Sequence, residues 1–214
     1  PIVDGYVLAE APGRAIAAGH AAAAPLLIGI NDDETTTLVP ASLLPANTAG
    51  YESAIRARFP LIANEVLQRY PAAQYPSAQR AYQDVLDDLL FTCPARRAAA
   101  DHAAHDHPVY HYALTEILPN PALAPLESFH GLDIVLLFGD LTQAQPAVRT
   151  LGERLQRSWV DFAYGREPGS GDGISWPRYS AGARRSLEWN SANPGLLDDY
   201  RRDYCEFWNR YVTL

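Results

Sequence analysis

Two kinds of hydrophobic pattern divide this chain. Leu26-Leu27-Ile28-Gly29-Ile30 is a short uninterrupted apolar run, bounded by Pro25 before it and by the polar stretch Asn31 to Thr37 after it. A run of that length with no polar alternation predicts a strand buried on both faces, as in a parallel sheet. Val109 to Leu114 reads as a second strand, and Arg185 to Trp189 as a short edge strand. Between the first two, from Gly50 to His107, the pattern is helical. Tyr51–Phe59 and Leu61–Tyr70 are amphipathic pieces separated at Pro60. Ser77 is placed to cap a longer helix whose Ala81, Tyr82, Val85, Leu86 and Leu89 share one face. Arg96 to His105 continues as an Ala-rich helix. Further on, Val148, Leu151, Leu155, Trp159 and Phe162 mark the buried stripe of a helix from Pro146 to Tyr164, with Gly165 at its C′ position. Gly169 to Gly173 reads as a flexible linker, and Leu196 to Val212 as the last helix.

Between the second strand and the long helix, Pro119, Pro121 and Pro125 make a loop that leads into Ser128-Phe129-His130-Gly131, and an apolar run to Phe138 follows. His130 therefore sits at the end of a loop beside a permissive glycine. Loops held by a rigid scaffold are where catalytic side chains concentrate, and a neutral imidazole can take and return a proton at neutral pH. An exposed loop histidine is the plainer reading of this stretch alone. The second candidate stretch follows the first strand, where Asp32, Asp33 and Glu34 stand in a row. In open α/β sheets sites form at the carboxyl ends of strands; the alternative is a polar turn capping the next segment.

Composition narrows the field. The 214 residues are 48% hydrophobic and 20% charged, a globular composition with room for one sizeable core. A formal net charge of −8 argues against a nucleic-acid or anionic-membrane partner, and no apolar run is long enough to span a bilayer. The absence of methionine and the opening Pro1-Ile2-Val3-Asp4-Gly5 suggest a processed or excised piece, although removal of an initiator Met alone would also explain the first residue. Cys93 and Cys205 form no Cys-x-x-Cys pattern, which leaves two buried thiols or one long-range disulfide. His102, His105, His107 and His111 have a spacing that superficially suits a metal. A helix, a turn and a strand would, however, carry them in different directions, and although Asp101 and Asp106 are near, neither completes a convincing tetrahedral set, so a structural role is preferred.

Several motifs, in order, resemble the type-B carboxylesterase and cholinesterase family. They are Ile2-Val3-Asp4-Gly5; the strand followed by Asp33-Glu34; Asp88 to Pro94; Pro108 to Tyr112; His130-Gly131-Leu132-Asp133 with its apolar run to Phe138-Gly139; Trp159 to Gly165; Trp176-Pro177-Arg178-Tyr179; and Cys205-Glu206-Phe207-Trp208-Asn209. The resemblance implies an α/β-hydrolase fold and hydrolysis of carboxylic esters by a Ser-His-Glu triad, with no cofactor or metal. It places the triad histidine on His130 and the acid on Glu34. Thr35 stands where the family usually has Gly, which keeps Asp33 as a lesser candidate for the acid. The resemblance further implies a Cys93–Cys205 disulfide, hence a secreted or periplasmic location, and a helical insertion at about 50–107 that shapes the substrate entrance.

No Gly-x-Ser-x-Gly nucleophile elbow occurs in the sequence. Ser128 is not on an elbow and would be a poor substitute. Residues 1–214 are therefore expected to be the C-terminal portion of one α/β-hydrolase domain, incomplete and inactive alone. An N-terminal half would supply the serine and the oxyanion hole for a small-molecule ester substrate. The alternative is a cholinesterase-like binding or adhesion module without a working triad.

Overall fold

The computed structural model describes residues 2–169, 173–192 and 194–212. Its centre is a four-stranded sheet of β1 (Leu26–Asn31), β2 (Val109–Leu114), β3 (Arg185–Trp189) and β4 (Gly195–Asp198), in that spatial order. β1, β2 and β3 run parallel, with Ile28 opposite His111 and His111 opposite Ser186, and β4 pairs antiparallel to β3. Every residue of β2 is buried, because successive side chains point to opposite faces and both faces are covered. Tyr110, Tyr112 and Leu114 join a core with Leu132 and Leu136 of α7 (Leu132–Phe138) and Leu151 and Leu155 of α8 (Pro146–Ala163). On the other face Val109 packs with Ala99 of α6 (Cys93–Ala103) and with Tyr179.

The helical stretch between β1 and β2 builds a separate core. α3 (Thr48–Arg58) is capped by Asn47, α4 (Ala63–Arg69) follows the break at Pro60, and α5 (Ala78–Asp87) begins at Ser77, whose hydroxyl accepts the Arg80 N–H at 3.1 Å. α5 passes through a π-helical segment, Asp88–Thr92, directly into α6. α6 begins at Cys93 rather than Arg96, because the π turn carries the helical backbone on through Pro94 in its first turn. It ends at Ala103, with His105 in the turn that closes at Asp106 (φ 62°). α8 and its stripe are as the periodicity predicts, and Gly165 takes a left-handed φ of 74° after its last turn.

Two expectations fail at the C-terminal end. β3 is not an edge strand, since β4 covers its outer side. Residues 196–198 belong to that strand and not to the last helix. The side chains of β4 alternate between half-buried and exposed, the period of a strand, and Asp199 (φ 47°) and Arg201 (φ 58°) break the chain before α9 (Arg202–Trp208) begins. The apolar pair Leu196-Leu197 fits either pattern when read without its partner strand. Most of the linker expected at 169–173, residues 170–172, lies outside the described residues.

Cys93 and Cys205 form a disulfide across 112 positions, joining the start of α6 to α9. Beside it Arg201 makes a buried ion cluster: Nε donates to Asp88 Oδ1 at 2.9 Å, and one terminal nitrogen donates to Asp88 Oδ2 at 2.6 Å and Asp84 Oδ2 at 2.7 Å. Tyr70 donates to Asp88 Oδ2 at 2.7 Å and accepts from the Trp208 indole at 2.7 Å, and Tyr75 donates to Asp84 Oδ2 at 2.6 Å, so both carboxylates are paired and hydrogen-bonded. Among the described residues no helix is long and apolar enough to cross a membrane.

Candidate active site

The carboxyl end of β1 and the loop after β2 meet at one place. β1 ends at Asn31, and Glu34 follows in a right-handed turn (φ −52°, ψ −40°) that opens the short helix α2 (Thr35–Leu38). That turn needs no left-handed residue, so Thr35 is accommodated where a glycine was expected. Glu34 is 6% exposed. Its Oε1 accepts the Asn31 N–H at 2.9 Å, and its Oε2 lies 2.5 Å from Nδ1 of His130, 96 positions away. Burial raises the Glu34 carboxyl above its ordinary value, against the opposing pull of the Asn31 N–H and of His130. In the tautomer whose Nδ1–H donates to Glu34, the other ring nitrogen of His130 is a hydrogen-bond acceptor. The His130 side chain is 47% exposed, and the Phe91 ring of the π segment stands 5.6 Å from it, centroid to centroid.

The loop that carries His130 is fixed from several sides. Asp33 donates its N–H to the Ser128 carbonyl at 3.0 Å, while its Oδ2 accepts the Ser128 N–H at 2.9 Å. Asp33 is thus the anchor of the histidine loop, and its other carboxylate oxygen is engaged by Arg80. The Ser128 hydroxyl donates to the Leu114 carbonyl at 2.6 Å and is fully buried, so it is committed to the backbone of β2. The Asn31 amide donates to the Phe129 carbonyl at 3.0 Å and to Asp133 Oδ1 at 3.1 Å, and the Tyr112 hydroxyl donates to Asp133 Oδ2 at 2.9 Å. Gly131, at φ 83°, makes the turn from His130 into α7.

Asn31, Arg80, Tyr112 and Asp133 have no assigned role in the sequence reading. Asp133 lies inside the His-Gly-x-Asp motif and Asn31 opens the polar stretch after β1, so both could have been singled out. Arg80 sits on a remote helix with nothing local to mark it.

The four histidines of the cluster do not converge on one point. His102 donates to the Ala24 carbonyl at 2.8 Å and His105 to the Ala17 carbonyl at 3.0 Å, whereas His111 pairs with the Ser186 hydroxyl at 2.8 Å inside the sheet. Among the described residues, the side chains close enough to share a cation are Asp88, Cys93 and Cys205, and the two cysteines are joined to each other. A cavity of about 430 Å³ between α6, α9 and the short helix α1 (Pro12–Ala17) includes neither Glu34 nor His130. Of its arginines, Arg96 pairs with Asp199, Arg202 with Glu206, and Arg97 with the Val212 carbonyl.

The chain is 29% identical over 196 residues to para-nitrobenzyl esterase of Bacillus subtilis (strain 168), covering 87% of this chain and 38% of that protein. It is 24% identical over 240 residues to cholinesterase of Mus musculus, covering 99% and 39%. It is also 27% identical over 197 residues to the inactive carboxylesterase-like protein VdtD of Byssochlamys spectabilis, covering 78% and 33%. A solved structure titled PNB esterase superposes with a TM-score of 0.74 at 25% identity, over 97% of this chain and 43% of its own. This chain therefore spans about two-fifths of the length of the esterases it resembles. The profile of the carboxylesterase family matches residues 1–208, so the fold that brings Glu34 to His130 is a portion of the esterase α/β-hydrolase fold, and the chain belongs to the carboxylesterase family.

Proposed function

We propose that this chain supplies the histidine and the acid of a serine carboxylesterase, and that a segment N-terminal to it supplies the nucleophile. The observation that carries the reading is the 2.5 Å approach of Glu34 to His130 Nδ1, which leaves the second ring nitrogen on a half-exposed imidazole. In the assembled enzyme a serine attacks the ester carbonyl and His130 takes its proton. His130 then protonates the departing alcohol, and water cleaves the acyl-enzyme with His130 again as base. Glu34 holds His130 in the productive tautomer and stabilises the imidazolium as it forms. The substrate is a small-molecule carboxylic ester.

A partner half is supported by two features besides length. β1 is an outer strand of the sheet, so its free edge can take another parallel strand. α7 exposes Ile134 (59%), Val135 (44%) and Phe138 (81%) beside the candidate site. The chain alone lacks an elbow serine and is inactive by itself, since oxyanion stabilisation is usually the largest single contribution to such catalysis. A disulfide joining two elements of the core favours an oxidising location, secreted or periplasmic.

The test is a fluorophosphonate probe applied to the native preparation, read by intact mass under denaturing conditions. A second polypeptide, or an N-terminal extension of this one, that gains the probe mass supports the esterase. A preparation that contains the N-terminal segment and stays unlabelled overturns it. That second outcome would favour a non-catalytic binding module, a reading kept open by one relative named as inactive.

A further inference from the structure

Behind Glu34 lies a further buried carboxyl group that takes no direct part in the proposed triad. Asp87, the last residue of α5, is 1% exposed, and its Oδ1 accepts the Thr35 N–H at 2.7 Å. Thr35 is the residue that follows Glu34, and its own hydroxyl donates to the Gln83 carbonyl of the same helix at 3.2 Å. Two hydrogen bonds from one residue therefore tie the Glu34 turn to the C-terminal half of α5. The π-helical segment begins at the next residue and carries Phe91 against His130. π segments insert one extra residue into a helical turn and re-aim the side chains beside them. Here the same continuous helix backs both members of the pair, Glu34 through Asp87 and His130 through Phe91.

We propose that Asp87 is a positioning residue for Glu34, holding the Thr35 N–H and so fixing the turn that aims the Glu34 carboxylate at His130. The inference rests on the esterase reading above. The chemistry needs an acceptor at this place. The N–H groups of a first helical turn have no partner within the helix, and that of Thr35 is buried away from water. A side chain reaching in from another helix supplies the acceptor and also sets the distance between the two elements. Small errors in the placement of a catalytic group cost large factors in rate, so loosening this turn lowers kcat more than it raises KM.

The experiment uses the complete enzyme, this chain joined to its serine-bearing segment, with a p-nitrophenyl ester as substrate. Four variants are compared: Asp87→Ala, Asp87→Ser, Asp87→Asn and Glu34→Gln. Asp87→Ser keeps a small polar side chain that is too short to reach Thr35, and it decides the matter if Asp87→Ala does not fold. The expected result is a fall in kcat of about tenfold for Asp87→Ser with KM nearly constant, and recovery of most of it in Asp87→Asn, whose amide oxygen can accept the same bond. A proton NMR spectrum in the His130 Nδ1–H region gives a reading that does not depend on turnover, and the resonance should broaden in Asp87→Ser and return in Asp87→Asn. A folded Asp87→Ser enzyme with unchanged kcat and an unchanged resonance overturns the proposal. If Glu34→Gln also leaves kcat unchanged, it is the triad reading that has failed. If Glu34→Gln is severely impaired while Asp87→Ser is not, only the positioning role of Asp87 falls.

Discussion

The guanidinium of Arg80 pairs with the carboxylate of Asp33, the residue directly before Glu34, and its Nε reaches Glu127 Oε2 at 3.1 Å. One side chain of α5 thus clamps the end of β1 to the start of the histidine loop. The clamp is mostly buried: the Arg80 and Asp33 side chains are 20% and 9% exposed. Removing one partner of such a pair leaves a charge without compensation. Arg80→Ala should therefore lower stability by about 3 kcal/mol, seen as a reduced denaturant midpoint, and in the proposed enzyme should reduce turnover through a loosened His130 loop. A variant with unchanged midpoint and activity would show that the backbone bridge between Asp33 and Phe129 holds the loop without the clamp.

Glu34→Gln preserves the shape of the side chain and removes its charge. If Glu34 is the acid of the proposed triad, loss of its charge leaves the histidine in the wrong tautomer, and kcat should fall by about 10³–10⁴-fold with a small change in KM. Steady-state kinetics on the assembled enzyme measures it. Activity within tenfold of the wild type would remove Glu34 from the mechanism.

The disulfide closes a long loop between α6 and α9. Replacing both cysteines by serine, or reducing the bond, should cost about 2–5 kcal/mol, because the unfolded chain regains the freedom that the bond removes. Urea titrations with and without a thiol reductant give the value. Identical midpoints would mean that the ion cluster of Arg201 with Asp84 and Asp88 already holds α9 in place.

Two buried carboxyls give stability a pH dependence whose sign is fixed. Burial pushes Asp32 up to about 6 and Asp87 up to about 8. The folded state then holds these protons at pH values where the unfolded chain has released them. The contribution is therefore complete below the ordinary aspartate range near 4. It declines as pH rises and is lost by about 6 for Asp32 and about 8 for Asp87. Melting temperatures across pH 5–9 should fall, and the decline between pH 6 and 8 should flatten in Asp87→Asn. Parallel curves for the two proteins would show that Asp87 is ionised in the folded chain throughout.

What the chain determines by itself is local. The run before Asn31 and the stretch from Val109 to Leu114 are apolar enough to specify interior strands, and both form where the pattern places them. The stripe from Val148 to Phe162 specifies α8, and Ser77 caps α5, because caps and periodicity act within a few residues. The strand end marks the row Asp32, Asp33 and Glu34, and the loop marks His130, but it is the resemblance to the esterase family that singles out Glu34 and His130 as the candidate pair. Tertiary structure decided what depends on a partner distant in sequence. Leu196 and Leu197 became a strand because β3 offered an edge, a choice that two leucines alone do not make. Asp33, one of three carboxylates in a row, became an anchor because Ser128 and Arg80 converge on it. Asp87, Asn31 and Asp133 gained their contacts only when α5, β1 and α7 were brought together, since a hydrogen bond between remote segments leaves no periodic trace in either.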